Sequence, residues 1–73
     1  MKLRLFVEDY KSGYMNVYDN VKKVKIEKDN NVNCLYYKNN VGYVCVGKLA
    51  DIKLAFMVDV SGKNCKEYFR YEK

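Results

Sequence analysis

Three cysteines, Cys34, Cys45 and Cys65, are the side chains with the most reactive chemistry in this sequence. A cysteine nucleophile acts as its thiolate, and the usual neighbouring base is histidine, which the chain lacks. No two cysteines have the C-x-x-C spacing that zinc sites and redox pairs use, and an odd number is a poor disulfide framework. The sequence therefore predicts three reduced thiols that pack as small apolar side chains.

The carboxylates and serines are no better placed for catalysis. Glu8 and Asp9 are neighbours near a strand end, so their side chains point to opposite faces. Ser12 and Ser61 stand beside glycine in turn-like segments, with no base to activate them. No glycine-rich phosphate loop occurs. We therefore expect no enzyme activity, no catalytic residue, no bound metal and no cofactor.

Lysine and tyrosine are the remaining residues that could do chemistry, as binding groups. The net charge is +5, and eight of the 73 residues are tyrosine. Tyrosine rings can stack on bases while ammonium groups meet phosphates, which suits single-stranded nucleic acid. However, only Arg4 and Arg70 are arginine, the residue that makes most bidentate contacts. Lys, Asn and Tyr also share A/T-rich codons, so part of the lysine excess reflects base composition.

Alternation of apolar and polar residues predicts strands through most of the chain. A first strand at 2–8 places Leu3, Leu5 and Val7 on one face, and Arg4 and Phe6 on the other. The segment 10–13 reads as a turn, and a second strand follows at 14–18. Asp19 and Asn20 end it.

Two Asn-Asn pairs predict the turns of a three-stranded meander over residues 21–47. Asn tolerates positive φ, so Asn30-Asn31 fits a type I′ turn between two strands. The pairs that follow from it are Asp29–Val32, Glu27–Cys34, Ile26–Leu35, Lys25–Tyr36 and Val24–Tyr37. A matching turn at Asn39-Asn40 predicts Lys38–Val41, Tyr37–Gly42, Tyr36–Tyr43, Leu35–Val44 and Cys34–Cys45. Both turns assign the same residues to each face.

The rest of the chain continues the pattern. Residues 47–51 form a connection, and a strand from residue 52 to 60 presents Ile52, Leu54, Phe56, Val58 and Val60 on one face. A turn follows at 61–64. The last segment, 65–73, fits either a strand or a short helix capped by Asn64.

The sequence thus predicts one all-β domain over residues 1–73. Six or seven short antiparallel strands form a meander that closes as a barrel or a compact two-sheet sandwich, with a short C-terminal helix as the alternative for the last segment. The predicted core is Leu3, Leu5, Val7, Val24, Ile26, Leu35, Val44, Ile52, Leu54, Phe56, Val58 and Phe69.

The second face of the meander is the candidate binding surface. Its members are lysines and tyrosines brought together by the predicted register: Lys23, Lys25, Tyr36, Lys38 and Tyr43. Tyrosine is enriched at protein interfaces, so we expect a protein partner first, with a homodimer included, and single-stranded nucleic acid as the alternative. The face would instead be core if a second sheet covered it.

The chain's size and missing catalytic groups are typical of small phage or mobile-element proteins that regulate or inhibit a larger protein by covering its surface. No apolar run approaches the length of a membrane span, and charges interrupt the N-terminal segment too early for a signal peptide. We therefore expect a cytoplasmic protein that does not enter a membrane.

Overall fold

The computed structural model describes residues 3–59 and the backbone of residues 65–70. Strands account for most of it, which confirms the all-β prediction. In chain order the elements are β1 (Leu3–Asp9), β2 (Met15–Val21), β3 (Lys23–Asp29), β4 (Val32–Lys38), β5 (Tyr43–Lys48), a single 3₁₀ turn (Leu49–Asp51), β6 (Ile52–Asp59) and β7 (Cys65–Arg70). Within this part of the chain no helix is long and apolar enough to cross a membrane.

The strands form two antiparallel sheets, not a closed barrel. One sheet has four strands in the order β2-β1-β6-β7, and the other has three in the order β3-β4-β5. Only the three-stranded sheet is a meander. The four-stranded sheet places β1 between β2 and β6, so the chain leaves it after β2 and returns for β6. Residues 65–70 are strand, so the helix alternative is wrong for them. The predicted turn at 61–64 lies outside the described residues.

One apolar core lies between the two sheets. It contains Leu5 and Val7 from β1 and Leu35 from β4, all nearly inaccessible to water. The full buried cluster is Leu5, Val7, Val21, Leu35, Ile52, Ala55 and Met57. Leu3 and Val24 pack against it, as predicted. Burial of these side chains is the main force that holds the sheets face to face.

The prediction for β6 was wrong about which residues face the core. Leu54, Phe56 and Val58 are only partly buried, whereas Ala55 and Met57 are buried. The register between β1 and β6 shifts at Glu8 and Asp9, so the strand has one extra residue near its start. Such a bulge exchanges the faces for the residues beyond it, while Ile52 stays inside. Val60 and the side chain of Phe69 lie outside the described residues.

Val21 is a core residue that the sequence pattern did not reveal. The second strand continues past Asn20, which takes a left-handed φ of 57°. The pairing with β1 also shifts between Leu3 and Leu5. These irregularities turn Val21 inward until it is 1% exposed. Conversely, Ile26 and Val44 were predicted core residues but are 47% and 37% exposed.

The turn at Asn30-Asn31 is confirmed. Both residues have positive φ, 51° and 66°, as a type I′ turn requires. All predicted pairs between β3 and β4 occur, including Ile26 with Leu35 and Lys25 with Tyr36.

The turn at Asn39-Asn40 was wrong, because the loop has four residues. The Asn39 side-chain oxygen accepts hydrogen bonds from the backbone N–H groups of Val41 and Gly42, at 2.8 and 3.0 Å. This closed Asx-type loop keeps residues 41 and 42 out of the strand. Lys38 therefore pairs with Tyr43 instead of Val41.

The new register changes partners in the rest of the hairpin. Tyr36 lies opposite Cys45 instead of Tyr43. Tyr37 pairs with Val44 instead of Gly42. The shift is by two residues at this end, so each side chain keeps its predicted face. A bulge then places Gly47 opposite Leu35, and Lys48 opposite Cys34.

Candidate functional site

The outer face of the three-stranded sheet carries the predicted binding residues in three cross-strand rows. Because residues directly opposite one another share a face, the register assigns each row without ambiguity. The rows are Lys23–Lys38–Tyr43, Lys25–Tyr36–Cys45 and Glu27–Cys34–Lys48. All five predicted residues therefore lie on this face, which we call the Tyr/Lys face.

Among the described residues the Tyr/Lys face is largely open, and only Cys34 on it is buried. The four-stranded sheet packs on the opposite side, where Leu35 enters the common core. Tyr43 is 43% exposed, Cys45 is exposed and Tyr36 is half-buried. In the described part of the chain the face is therefore a second surface of the sheet and not the second half of a core.

Lys25 is the centre of the Tyr/Lys face. Its ammonium nitrogen lies 4.1 Å from the centroid of the Tyr43 ring and 5.6 Å from that of Tyr36. Lys38 approaches the same Tyr43 ring at 5.8 Å. These are cation–π distances, at which the ring quadrupole attracts the cation. Lys25 of β3 therefore holds together two tyrosine side chains, one from β4 and one from β5.

Glu27 completes this arrangement, although sequence reasoning did not include it among the candidate binding residues. Its Oε2 atom lies 2.6 Å from the ammonium nitrogen of Lys25. This hydrogen bond is the main reason that the pKa of Lys25 is raised. Desolvation opposes it, and the charge of Glu27 and the Tyr43 hydroxyl make smaller contributions that raise the pKa. Lys25 therefore stays charged and fixed in place. The two residues are on one strand two positions apart, a same-face spacing that could have indicated the pair.

The two ends of the Tyr/Lys face differ in the charges that they carry. Lys23 and Lys38 lie directly opposite each other in the row that contains Tyr43. Neither makes an ion pair within the described residues. Asp29, Glu27 and Lys48 lie toward the Asn30-Asn31 turn, so charges of both signs meet there. The end that contains Tyr43 is therefore positive and not neutralised.

Cys34 is buried on this face, whereas Cys45 is exposed. Desolvation is the first cause of the raised pKa of the Cys34 thiol, followed by the neighbouring Cys45 and Asp29. A raised pKa disfavours the thiolate, the form that attacks electrophiles and binds metals. In the described part of the chain no group of three or more metal-ligating side chains comes together.

A second open surface, which sequence reasoning missed, lies on the outer face of the four-stranded sheet. Phe6 and Phe56 stack there with ring centroids 5.1 Å apart. Val17, opposite Phe6 on β2, is 49% exposed. Sequence reasoning placed only Phe6 on this face, because the bulge in β6 moves Phe56 here from the predicted core.

No protein-family model, no curated protein and no solved structure matches this chain.

Proposed function

We propose that this chain is a non-catalytic binding protein whose Tyr/Lys face docks on an acidic surface of another protein and thereby regulates or inhibits it. The observation that carries the proposal is the row Lys23–Lys38–Tyr43. Two like charges directly opposite each other destabilise a sheet. A partner carboxylate between the two ammonium groups would remove that repulsion, so the row favours binding more than folding.

The tyrosines support a protein partner. Tyr43 offers a half-exposed ring whose position is fixed by Lys25, so little side-chain freedom is left to lose on binding. Rigid tyrosines at the centre of a contact, with charges around them, are the usual composition of a protein interface. The partner would place an apolar group against Tyr36 and Tyr43 and carboxylates against Lys23 and Lys38.

Single-stranded nucleic acid is the second candidate, supported by the two lysines beside Tyr43. The same geometry weakens it. Lys25 already lies over the Tyr43 ring, so a base would have to displace it in order to stack on that side. Asp29 would also repel phosphates at the other end of the face, where Glu27 is already paired with Lys25.

A binding experiment separates these functions. The immobilised protein is used to isolate a partner, which is then purified and titrated against wild type, Tyr36→Ala, Tyr43→Ala and Tyr14→Ala. Tyr14 is 75% exposed and lies just before β2, outside the three-stranded sheet, so it is the matched control. We expect the first two substitutions to weaken binding and the control to leave it unchanged.

Labelled oligonucleotides provide the second arm. Binding at low salt that weakens steeply as salt rises, and that is lost in Tyr43→Ala, would favour nucleic acid. Absence of binding at tens of micromolar protein would eliminate that candidate. A partner protein that binds Tyr36→Ala and Tyr43→Ala as tightly as wild type would overturn the proposed interface.

A further inference from the structure

The outer face of the four-stranded sheet carries more apolar side chains than the stacked rings of Phe6 and Phe56. Residues directly opposite one another share a face, so the pairing of β1 with β2 and β6 assigns three cross-strand rows. The rows are Met15–Glu8–Leu54, Val17–Phe6–Phe56 and Asp19–Arg4–Val58. We call this surface the Phe patch.

The Phe patch is apolar at its centre and charged toward the two ends of β1. Val17 and Met15 are 49% and 44% exposed. Phe6 and Phe56 stack at the centre and are half-buried. A contiguous apolar patch on an outer sheet face is a common mark of an interaction site. The charges at its two ends indicate what covers it.

The two β1 charges in the Phe patch have binding capacity left over. Among the described residues, Arg4 donates to Asp19 through its Nε atom alone, at 2.7 Å, so its terminal amino groups can still donate. The side chain of Glu8 is 24% exposed and lies in an apolar row. Its Oε2 atom is 3.7 Å from the ammonium nitrogen of Lys53, which is longer than a hydrogen bond. One end of the patch therefore has unused donors, and the other has unused acceptors.

We propose that a second copy of this chain covers the Phe patch, with the two four-stranded sheets packed face to face and β1 antiparallel to β1 of the copy. The two-fold axis lies between the sheets, perpendicular to β1, and crosses the central row at Phe6. Arg4 and Glu8 are each two residues from Phe6 on the same face, so the rotation places Arg4 over Glu8 of the copy and Glu8 over its Arg4. Both side chains are long enough to meet across packed sheets about 10 Å apart. The patch is therefore complementary to itself in charge, and its apolar centre meets an apolar centre.

A two-fold axis parallel to β1 is unfavourable by comparison. It would place each row over the same row of the copy, so Arg4 would approach Arg4 and Glu8 would approach Glu8. Like charges that face each other across an interface oppose association. Charge therefore selects the antiparallel orientation, in which the strands of the two sheets stay within about 30° of each other, as they do in a β-sandwich.

The dimer leaves the Tyr/Lys face of each copy open. That face is the outer face of the three-stranded sheet, on the opposite side of the core from the Phe patch. The two Tyr/Lys faces would therefore lie on opposite sides of the dimer, and each could hold its own partner molecule. The inference does not rest on the proposed function, since the Phe patches can pack together whatever the Tyr/Lys face binds.

Sedimentation equilibrium tests whether the Phe patch forms a dimer. Wild type at concentrations up to about 1 mM should show a monomer–dimer equilibrium. Val17→Lys places a charge in the apolar centre and should weaken the dimer by about tenfold or more. Val41→Lys makes the same change at a loop position that is 97% exposed and should leave the dimer intact. A wild type that stays monomeric, or a Val17→Lys dimer as tight as wild type, would overturn the inference.

Charge reversal tests the contact between Arg4 and Glu8 of the copy. Arg4→Glu leaves two carboxylates on the patch and Glu8→Arg leaves two guanidinium groups, so each variant alone should dimerise about tenfold more weakly than wild type or less. An equimolar mixture restores opposite charges at both contacts and should dimerise more tightly than either variant alone. Lys28→Glu, an equal charge reversal at an exposed position of β3, should dimerise like wild type. A mixture no tighter than the single variants would contradict the proposed contact.

NMR of wild type supplies a readout that needs no substitution. In a mixture of isotope-labelled and unlabelled chains, isotope-filtered NOEs report only contacts between copies. The outer rows exchange places in the antiparallel dimer, so the Leu54 methyl groups should contact Val58 of the copy. Within one chain these residues are about 13 Å apart along β6, too far for an NOE. Contacts between Leu54 and Leu54 of the copy would show an axis parallel to the strands and overturn the proposed arrangement.

Discussion

The ammonium nitrogen of Lys25 lies 4.1 Å from the centre of the Tyr43 ring, although the two residues belong to strands on opposite sides of β4. The lysine therefore reaches over the central strand and links both edges of the three-stranded sheet. Its ion pair with Glu27 holds it in that position. The contact both stabilises the sheet and fixes the surface that we propose binds a partner.

This contact should be measurable as a coupling free energy between Lys25 and Tyr43. A double-mutant cycle with Lys25→Met and Tyr43→Leu should give about 0.5–1 kcal/mol of the free energy of unfolding, the range for exposed cation–π pairs. The loss of the Glu27 ion pair cancels within the cycle. The matched cycle of Lys23→Met with Tyr43→Leu should give no coupling, and urea titration measures both. Equal coupling in the two cycles would show a general charge effect instead of a contact.

Leu35 and Ile26 face each other on the inner side of the sheet but differ in burial. Leu35 is 0% exposed and Ile26 is 47% exposed. Leu35→Ala should lower the free energy of unfolding by about 2–5 kcal/mol, because it leaves a cavity between the sheets. Ile26→Ala should cost less than about 1.5 kcal/mol, since half of its surface is already in water.

Chemical denaturation of Leu35→Ala and Ile26→Ala measures the two losses in the free energy of unfolding. In a 73-residue chain the loss at Leu35 approaches the total stability, so Leu35→Val provides a folded variant with a smaller loss. A larger cost at Ile26 than at Leu35 would mean that the sheets do not pack as described.

Asn31 is predicted to be sensitive to substitution because of its backbone conformation. Its φ of 66° is unfavourable for residues other than Gly and Asn. Asn31→Ala should lower the free energy of unfolding by about 1 kcal/mol. Asn33→Ala, an exposed strand position in the same hairpin, should change it by less than about 0.5 kcal/mol. Thermal unfolding of both variants makes the comparison, and equal effects would argue against the type I′ turn.

Asp9 should make stability fall on acidification. Its carboxylate accepts hydrogen bonds from the backbone N–H and the hydroxyl of Ser12, both at 2.8 Å. These bonds hold the pKa of Asp9 below its ordinary value of 3.8. A lowered pKa in the folded state stabilises the fold above the unfolded pKa, and that stabilisation is lost as pH falls through the folded pKa. Asp9→Asn keeps an acceptor in the turn and should remove this pH dependence.

Ser12→Ala provides the second measurement on the same group. It removes the hydroxyl and leaves the backbone donor, so the titration midpoint of Asp9, followed by NMR, should rise part of the way toward the ordinary value. A midpoint that does not move would show that the hydroxyl does not contribute.

Local patterns in the sequence predicted the hairpin of β3 and β4 completely. The alternation of Val24, Ile26, Leu35 and Tyr37 and the positive-φ tolerance of Asn agree on one register, and the structure has it. The same reasoning placed all five proposed binding residues on one face. It did not predict the Asn39 loop. A side chain that accepts hydrogen bonds from two backbone N–H groups competes with a two-residue turn.

Bulges account for most of the remaining errors. Alternation assumes one residue per ladder position, and a single extra residue exchanges the faces beyond it. In β6 this moved Phe56 outward and Ala55 and Met57 inward, although the sequence alternates without a break. The order of the strands in the four-stranded sheet depends on contacts between β1 and β6, about fifty residues apart, and local patterns contain no information on such pairs.

The Tyr/Lys face is the surface that we propose binds a partner protein. Backbone amide shifts of the labelled chain, recorded by NMR as the purified partner is added, test it most directly. We predict that the changes concentrate at Lys23, Lys25, Tyr36, Lys38 and Tyr43. Changes concentrated instead around Phe6, Val17 and Phe56, on the outer face of the four-stranded sheet, would contradict the account.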